Sequence, residues 1–191
     1  MINSVRWARM GAVLLALALL APLPARADDA GRFAIRSAYS VLRHGVYYLN
    51  ANMALSLNPQ AADALDSGVP LVLKIEIELS RERSMLWDPT VATLTQSYRI
   101  TYHALSRRYI VRSLNSGRQA SYRSWQVALE HLGDITSVPI IDASLLTPDE
   151  HYDIHIRALL NVKIIPTGFG LLTSLFYGAD QSSDWYQWPL R

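Results

Sequence analysis

Three side chains able to bind a metal or transfer a proton recur at every second position near the end of the chain. His151, Asp153 and His155 share one face if this segment is a strand, because strand side chains alternate between two faces. Imidazole and carboxylate groups at this spacing can chelate zinc when further ligands approach. The competing interpretation is the solvated face of an amphipathic strand, which we favour because no further ligand is obvious in the sequence.

A second polar set falls on the outward face of predicted strands in the middle of the chain. Arg99, Thr101 and His103 alternate with apolar residues, and Glu76 and Glu78 do the same on the preceding strand. Together they could line a polar cleft or form an acid–base pair. Cross-strand charge pairing on a solvated face explains the same residues more simply. We therefore assign no catalytic residue to this set.

Common catalytic and cofactor-binding motifs are missing from the chain. It contains no Gly-x-Ser-x-Gly turn, glycine-rich phosphate loop, paired-cysteine motif or His-Glu-x-x-His helix. A catalytic triad assembles in space and leaves no fixed motif, but nothing gives a positive reason to propose one. The sequence predicts a non-enzymatic protein with no cofactor.

Aromatic and arginine side chains supply the candidate partner-binding residues. Trp185, Tyr186 and Trp188 crowd the C-terminal end, and Arg107 and Arg108 lie at a predicted hairpin tip. Tyrosine and tryptophan are favoured at interfaces and in ligand grooves, and paired arginines can meet anionic head groups. The alternative, which we prefer for the aromatic residues, is that they close the ends of the fold.

The first 27 residues have the pattern of a secretory signal. Arg6 and Arg9 precede the apolar run Gly11 to Ala21, and Ala25-Arg26-Ala27 fits the small-x-small cleavage rule. We predict cleavage after Ala27, export of the chain and a single domain over residues 28–191. An uncleaved anchor is the alternative, which two prolines after the apolar run disfavour.

The charge of the whole chain depends on this leader. The formal net charge is +2, from 18 basic and 16 acidic residues, and three of the arginines lie in the leader. The remaining chain has 15 basic and 16 acidic residues, which gives no reason to expect a nucleic-acid partner. It contains no cysteine and needs no disulfide in an oxidising compartment.

Apolar residues alternate with polar ones in most of the segments that could fold. The stretch Leu71 to Leu114 predicts three strands in the middle of one sheet system, and Tyr152 to Ile164 predicts another long strand. Asn58 and Pro59 begin a short helix that Gly68 closes, and Ser124 begins a second that Gly133 ends.

Two hairpin registers follow from these patterns. A three-residue loop, Arg43-His44-Gly45, would pair Val41 with Tyr47 and keep two apolar sets on one face. A turn at Ser106-Arg107, or a four-residue loop with the same register, would pair Ala104 with Tyr109, Tyr102 with Val111 and Ile100 with Ser113.

Six or more strands joined by turns, with two short helices, predict a mainly β fold. The most consistent architecture is an antiparallel β-sandwich of the Ig-like or a similar type. A partly closed β-barrel is the alternative.

Several stretches resemble an exported proteobacterial family, the domain of unknown function numbered 4390. They are Gly68-Val69-Pro70-Leu71 with Glu76, Trp87 to Ala92, the hairpin Tyr102 to Val111, and the ending Ser183 to Trp188. The similarity extends over most of the chain after the leader. It implies a small exported single domain and carries no activity or catalytic residue list.

These observations lead to one functional hypothesis and two alternatives. We expect a periplasmic, non-enzymatic protein that binds another envelope or inner-membrane protein through a sheet edge or its aromatic end. The first alternative is a carrier that holds a lipid or another hydrophobic ligand between its sheets. The second is a metal-dependent hydrolase built on the face of His151, Asp153 and His155.

Overall fold

The protein, described by a computed structural model over residues 31–82, 89–162 and 179–191, folds into two antiparallel sheets. The small sheet has the order β1-β2-β7. The large sheet has the order β10-β8-β3-β4-β5-β6, and β9 also pairs with β8. The strands are β1 Phe33–Arg43, β2 Val46–Leu55, β3 Leu71–Arg81, β4 Thr90–His103, β5 Arg108–Ser113, β6 Gln119–Tyr122, β7 Asp134–Asp142, β8 Tyr152–Val162, β9 Gln181–Ser182 and β10 Tyr186–Pro189. The predicted antiparallel sandwich class is confirmed.

Strand β3 forms the middle of the large sheet and of the core. Leu73, Ile75 and Ile77 are at most 1% exposed, and they alternate with Lys74 and Glu76, which remain partly accessible. Each fully buried leucine or isoleucine contributes roughly 1.5–3 kcal/mol of burial free energy. Because β3 is hydrogen-bonded to β4 on one side and to β8 on the other, it has no free edge.

Helix α1, Pro59–Asp66, connects the small sheet to the large one. The Asn58 side chain accepts a hydrogen bond from the Ala61 N–H at 2.8 Å, as expected of an N-cap, and Pro59 occupies the first turn. Gly68 has a φ of +87°, and its N–H donates to the Leu65 carbonyl at 2.9 Å, which ends the helix. The sequence-based prediction of this helix is confirmed at both ends.

Helix α2, Trp125–Gly133, packs beside β2. The Ser124 hydroxyl accepts a hydrogen bond from the Val127 N–H at 3.3 Å, so the predicted N-cap is confirmed. The helix ends at Gly133 as predicted, but Gly133 is not among the glycines with positive φ. Its role is instead close packing, because a Cβ at this position would collide with the Met53 carbonyl oxygen on β2.

The predicted register of the first hairpin is wrong by one residue. His44 and Gly45 form a two-residue turn with φ of 49° and 81°, and Val41 pairs with Tyr48 rather than with Tyr47. An even-length loop should place the apolar sets on opposite faces. A bulge between Ile35 and Ser37 resolves this conflict by moving the later residues of β1 to the other face. Tyr39 is consequently 56% exposed.

The predicted register of the β4–β5 hairpin is wrong by two residues. The observed pairs are Tyr102 with Tyr109, Ile100 with Val111 and Tyr98 with Ser113, which keeps the predicted faces. The four-residue loop 104–107 closes earlier because His103 stabilises it: His103 Nδ1 accepts from the Ser106 N–H at 3.3 Å. Arg107 completes the turn with a φ of 50°.

Some elements differ from the sequence-based prediction, and some predicted elements lie outside the described residues. Strand β6 is absent from the sequence-based prediction. Strand β7 is longer than the predicted 138–141, and Ser137, with a φ of 54°, interrupts its alternation. A single 3-10 turn, Ala143–Leu145, follows β7. Trp87 and the predicted element at 171–177 lie outside the described residues. No helix in the described ranges is long and apolar enough to cross a membrane.

Replacing Gly133 by alanine should destabilise the protein. In most helical positions this change is favourable, but here the new methyl group meets the β2 backbone, and such overpacking costs about 1–3 kcal/mol. Urea denaturation would measure the loss, with the exposed Gln126→Ala on the same helix as a control expected to remain within about 0.5 kcal/mol. A Gly133→Ala protein as stable as the parent would contradict this packing.

The contact between α1 and β5 should weaken at high pH. The Tyr109 hydroxyl donates to Asp66 Oδ1 at 2.7 Å, and desolvation, followed by this bond, raises the pKa of Tyr109 to about 12. A phenol with a raised pKa stabilises the fold fully below its unfolded pKa of about 10, and this contribution is lost as the pH rises towards 12.

Below pH 10 we therefore expect Tyr109→Phe to be less stable than the parent by about 0.5–1 kcal/mol, since the pair is solvent-exposed. Chemical denaturation at pH 9 and 11.5 would test this. The prediction fails if the difference between the two proteins is the same at both pH values.

Candidate interaction site on the large sheet

The pairing of β3 with β8 brings two polar strand faces together on the outside of the large sheet. Directly opposed residues are Glu76 with Arg157, Glu78 with His155 and Ser80 with Asp153. The apolar faces of both strands are buried in the core, so strand alternation leaves these side chains on the outer face. The site is therefore a consequence of register, because a one-residue slip would bury the charges.

An ion pair holds the centre of this face. Glu76 Oε2 accepts from Arg157 Nε at 2.8 Å and from Nη2 at 2.7 Å. The side chains are only 21% and 34% exposed respectively, so part of the pair is shielded from water. Charge-assisted bonds of this length are stronger than neutral ones, and two donors to one carboxylate fix the plane of the guanidinium group.

Trp185 covers this guanidinium group. The Arg157 Cζ atom lies 4.3 Å from the centre of the Trp185 ring, which is a cation–π contact. The His155 ring meets the same indole edge-on, with centroids 6.3 Å apart and an angle of 89°. Trp185 nevertheless remains 40% exposed. The Arg157–Trp185–His155 cluster thus presents an ordered aromatic and cationic surface to solvent.

The buried Ser183 explains why Trp185 lies here. The Ser183 N–H donates to the Ala158 carbonyl at 2.9 Å, and its hydroxyl accepts from the Ala158 N–H at 3.0 Å. The hydroxyl also donates to the Asp184 carbonyl at 2.8 Å. One serine thereby anchors the connection between β9 and β10 to the edge of β8, and the next residues turn Trp185 onto the outer face.

A serine and a histidine lie in contact at the other end of this face. Ser80 Oγ is 2.9 Å from His155 Nε2, and Ser80 is 7% exposed. This distance suits a nucleophile and its general base. Among the described residues, no carboxylate hydrogen-bonds to His155; Asp153 Oδ2 instead accepts from Gln187 Nε2 at 3.0 Å.

The structure separates the candidate metal ligands. His155 bonds to Ser80, Asp153 bonds to Gln187, and the His151 carbonyl accepts from the Glu82 N–H at 2.9 Å. Within residues 31–82, 89–162 and 179–191, no three His, Cys, Asp or Glu side chains are grouped so as to hold a metal ion.

The predicted polar set on the central strands is not brought together as one cluster. Glu76 and Glu78 lie opposite Thr95 and Thr93 on β4, whereas Arg99 lies opposite Val72. The His103 ring is 2.8 Å from the Ser106 hydroxyl in its own hairpin loop. Glu76 instead bonds to Arg157 on β8, a partner that the sequence interpretation missed.

The candidate partner-binding residues divide between two environments. Tyr186 and Trp188 lie opposite Ile156 and Ile154 and pack against the core, and the Trp188 Nε1–H donates to Ser40 Oγ at 3.4 Å. Only Trp185 of the three faces outward over Arg157. Tyr186 and Trp188 therefore pack against the core from β10, beside β8.

The two arginines of the hairpin tip also differ. Arg108 Nη2 donates to the carbonyl and hydroxyl oxygens of Ser121 at 3.2 and 3.3 Å, so Arg108 serves to join β5 to β6. Arg107 occupies the turn with positive φ, and the neighbouring Leu105 is 94% exposed.

Comparisons with known proteins place most of the chain within one family. A family model described as "Domain of unknown function (DUF4390)" matches residues 30–189. Neither the curated proteins nor the solved structures contain a match to this chain.

The ion pair between Glu76 and Arg157 should stabilise the outer face measurably. Glu76→Gln removes the charge but keeps the shape, so we expect a loss of about 1 kcal/mol, reduced at high salt because the pair is partly exposed. Glu78→Gln, on the same face of β3, is the matched control and should change the free energy of unfolding by less than about 0.5 kcal/mol. Equal losses for the two variants would show that the ion pair contributes nothing specific.

Proposed function

The chain belongs to the DUF4390 family of proteins with a domain of unknown function, and we propose that it is an exported, non-enzymatic binding protein of the cell envelope. Its contact surface in this proposal is the Arg157–Trp185–His155 cluster. The observation that supports it is the exposed Trp185 ring held against an arginine that is itself fixed by Glu76.

The composition and rigidity of this cluster suit a protein–protein contact. Tryptophan and arginine are the residue types most enriched among those that dominate binding energy. Ordering a flexible side chain on binding costs about 0.5–1.5 kcal/mol, and part of that cost is avoided where the side chain is already held in place. Here the ion pair, the stacked ring and the Ser183 anchor hold the cluster before any partner arrives.

Export is supported by the sequence of the first 27 residues. Basic residues, an apolar run and the Ala25-Arg26-Ala27 site follow one another in the order typical of a cleavable signal. A chain with this leader meets its partners in the periplasm. The partner we propose is accordingly another envelope protein or an inner-membrane protein.

Two other forms of the hypothesis have less support. Along the edge of β7 that has no partner strand among the described residues, Pro139 and the bulge at Ser137 interrupt the regular pattern that strand addition requires. A lipid between the sheets would have to displace side chains such as Leu73, Ile77 and Ile156, which are at most 1% exposed. The outer-face cluster needs no such rearrangement.

Crosslinking in intact cells would test the proposed surface. The parent protein and Trp185→Ala would be crosslinked, purified, and analysed by mass spectrometry. Loss of a central interface tryptophan costs 2 kcal/mol or more, about a thirtyfold loss of affinity, so the partner should disappear. Tyr39→Ala is the matched control, because Tyr39 is an exposed aromatic on the other sheet.

A partner captured equally by the parent and Trp185→Ala would refute this surface. Thermal unfolding must show that Trp185→Ala is folded. Trp188→Ala is unsuitable for the test because that ring packs on the core.

A further inference from the structure

A groove of about 700 Å³ lies on the small sheet beside helix α2, away from the Trp185 cluster. One wall is formed by Arg32 and by Arg36 of β1, and the opposite wall by Trp125 and Glu130 of α2. Ala34, Met53, Ala54, Leu55, Ser56 and Gln126 complete the lining. The volume is within the range of pockets that hold small ligands, about 300–1,000 Å³.

The β1–β2 register explains why a depression exists at this place. Ala34 lies directly opposite Ala54. Beside this pair, the Ser56 N–H donates a hydrogen bond to the Arg32 carbonyl at 3.2 Å. By strand alternation, the side chains of Ala34 and Ala54 lie on the face opposite to the buried Phe33. Two facing alanines leave the floor low and apolar, while longer side chains stand around it.

Helix α2 contributes one aromatic side chain, Trp125, and the polar side chains of Gln126 and Glu130 to the groove. Because Gly133 has no side chain, the end of the helix approaches the backbone of β2 closely. The Leu55 side chain also lies near Gly133. At the other end, the Ser124 cap starts the helix so that Trp125 lines the groove while also packing against the core. An aromatic wall beside an alanine floor favours an apolar chain or ring.

The charges at the rim favour a negative ligand. Arg36 is the extra residue of the bulge between Ile35 and Ser37. A bulge changes the direction of the side chain that it carries. Within the described part of the chain, neither the Arg32 nor the Arg36 guanidinium makes a hydrogen bond or ion pair with another residue. Glu130, on the helix wall, is the opposing charge, so the positive potential is concentrated on the β1 side.

From this arrangement we propose that the groove binds a single-chain amphiphile with an anionic head. The head, a carboxylate or a phosphate, lies between Arg32 and Arg36, and the acyl chain runs over Ala34 and Ala54 against Trp125. Guanidinium groups recognise both kinds of anion through paired hydrogen bonds. This site is separate from the Trp185 cluster, so either proposal can fail without the other.

Calorimetric titration of the purified protein would test the proposal with three probes below their micellar concentrations. They are palmitate, lysophosphatidylglycerol with a palmitoyl chain, and the uncharged monopalmitin. We expect saturable one-to-one binding of at least one anionic probe, at least tenfold tighter than monopalmitin. Binding of palmitate alone would indicate a free fatty acid, and binding of lysophosphatidylglycerol would indicate a lipid head group.

Charge-reversal variants distinguish binding in the groove from general electrostatic attraction of the anionic probe to the protein. Arg32→Glu with Arg36→Glu should weaken binding of the anionic probe at least tenfold. Arg43→Glu with Arg112→Glu is the matched control, because both arginines are exposed, outside the groove, and carry the same total charge change. The control should retain parental affinity.

A steric variant provides an independent measurement. Ala54→Leu fills the floor of the groove without changing charge, and it should also reduce binding at least tenfold while the protein remains folded by circular dichroism. The proposal is overturned if neither anionic probe binds saturably, if monopalmitin binds equally well, or if the control pair weakens binding as much as the groove pair.

Discussion

The side-by-side pairing of β3 with β8 is the interaction on which the rest of the structure depends. It aligns the apolar faces of both strands, which become the centre of the core, and it places Glu76 opposite Arg157 on the other face. Stability and surface chemistry are consequently determined by the same register. The hydrophobic contribution from the inner face is much larger than that of one partly exposed ion pair, so burial sets the register and the ion pair follows from it.

Local chemistry made much of the fold predictable. Caps such as Asn58 and Ser124 act within one helical turn, and the alternation of β3 and β8 reports burial of one face directly. The hairpin registers were harder to predict. A bulge at Arg36 and the His103 contact in the 104–107 loop each shift the strand pairing away from the register that alternation predicts. Neither feature has a pattern that extends beyond a few residues.

The candidate site was predictable only in part, for a related reason. Asp153, His155 and Trp185 were identified by residue type, but their partners lie on strands distant in sequence. A search for opposite charges on the polar faces of β3 and β8 would have suggested Arg157 as the partner of Glu76. Ser80 and Ser183 gave no such signal, because a serine in a strand is ordinary until the structure shows which group its hydroxyl meets.

The distance along the chain between the paired strands also determines the order of assembly. Glu76 and Arg157 are separated by 81 residues, and β9 and β10 attach to β8 later still. Contacts between residues so far apart form slowly, because a long loop must close before they contribute free energy. During synthesis, β3 therefore has one side unpaired until β8 has emerged. For that interval a strand whose apolar face is buried in the finished fold has an open edge, and the folding chain is most vulnerable to aggregation there.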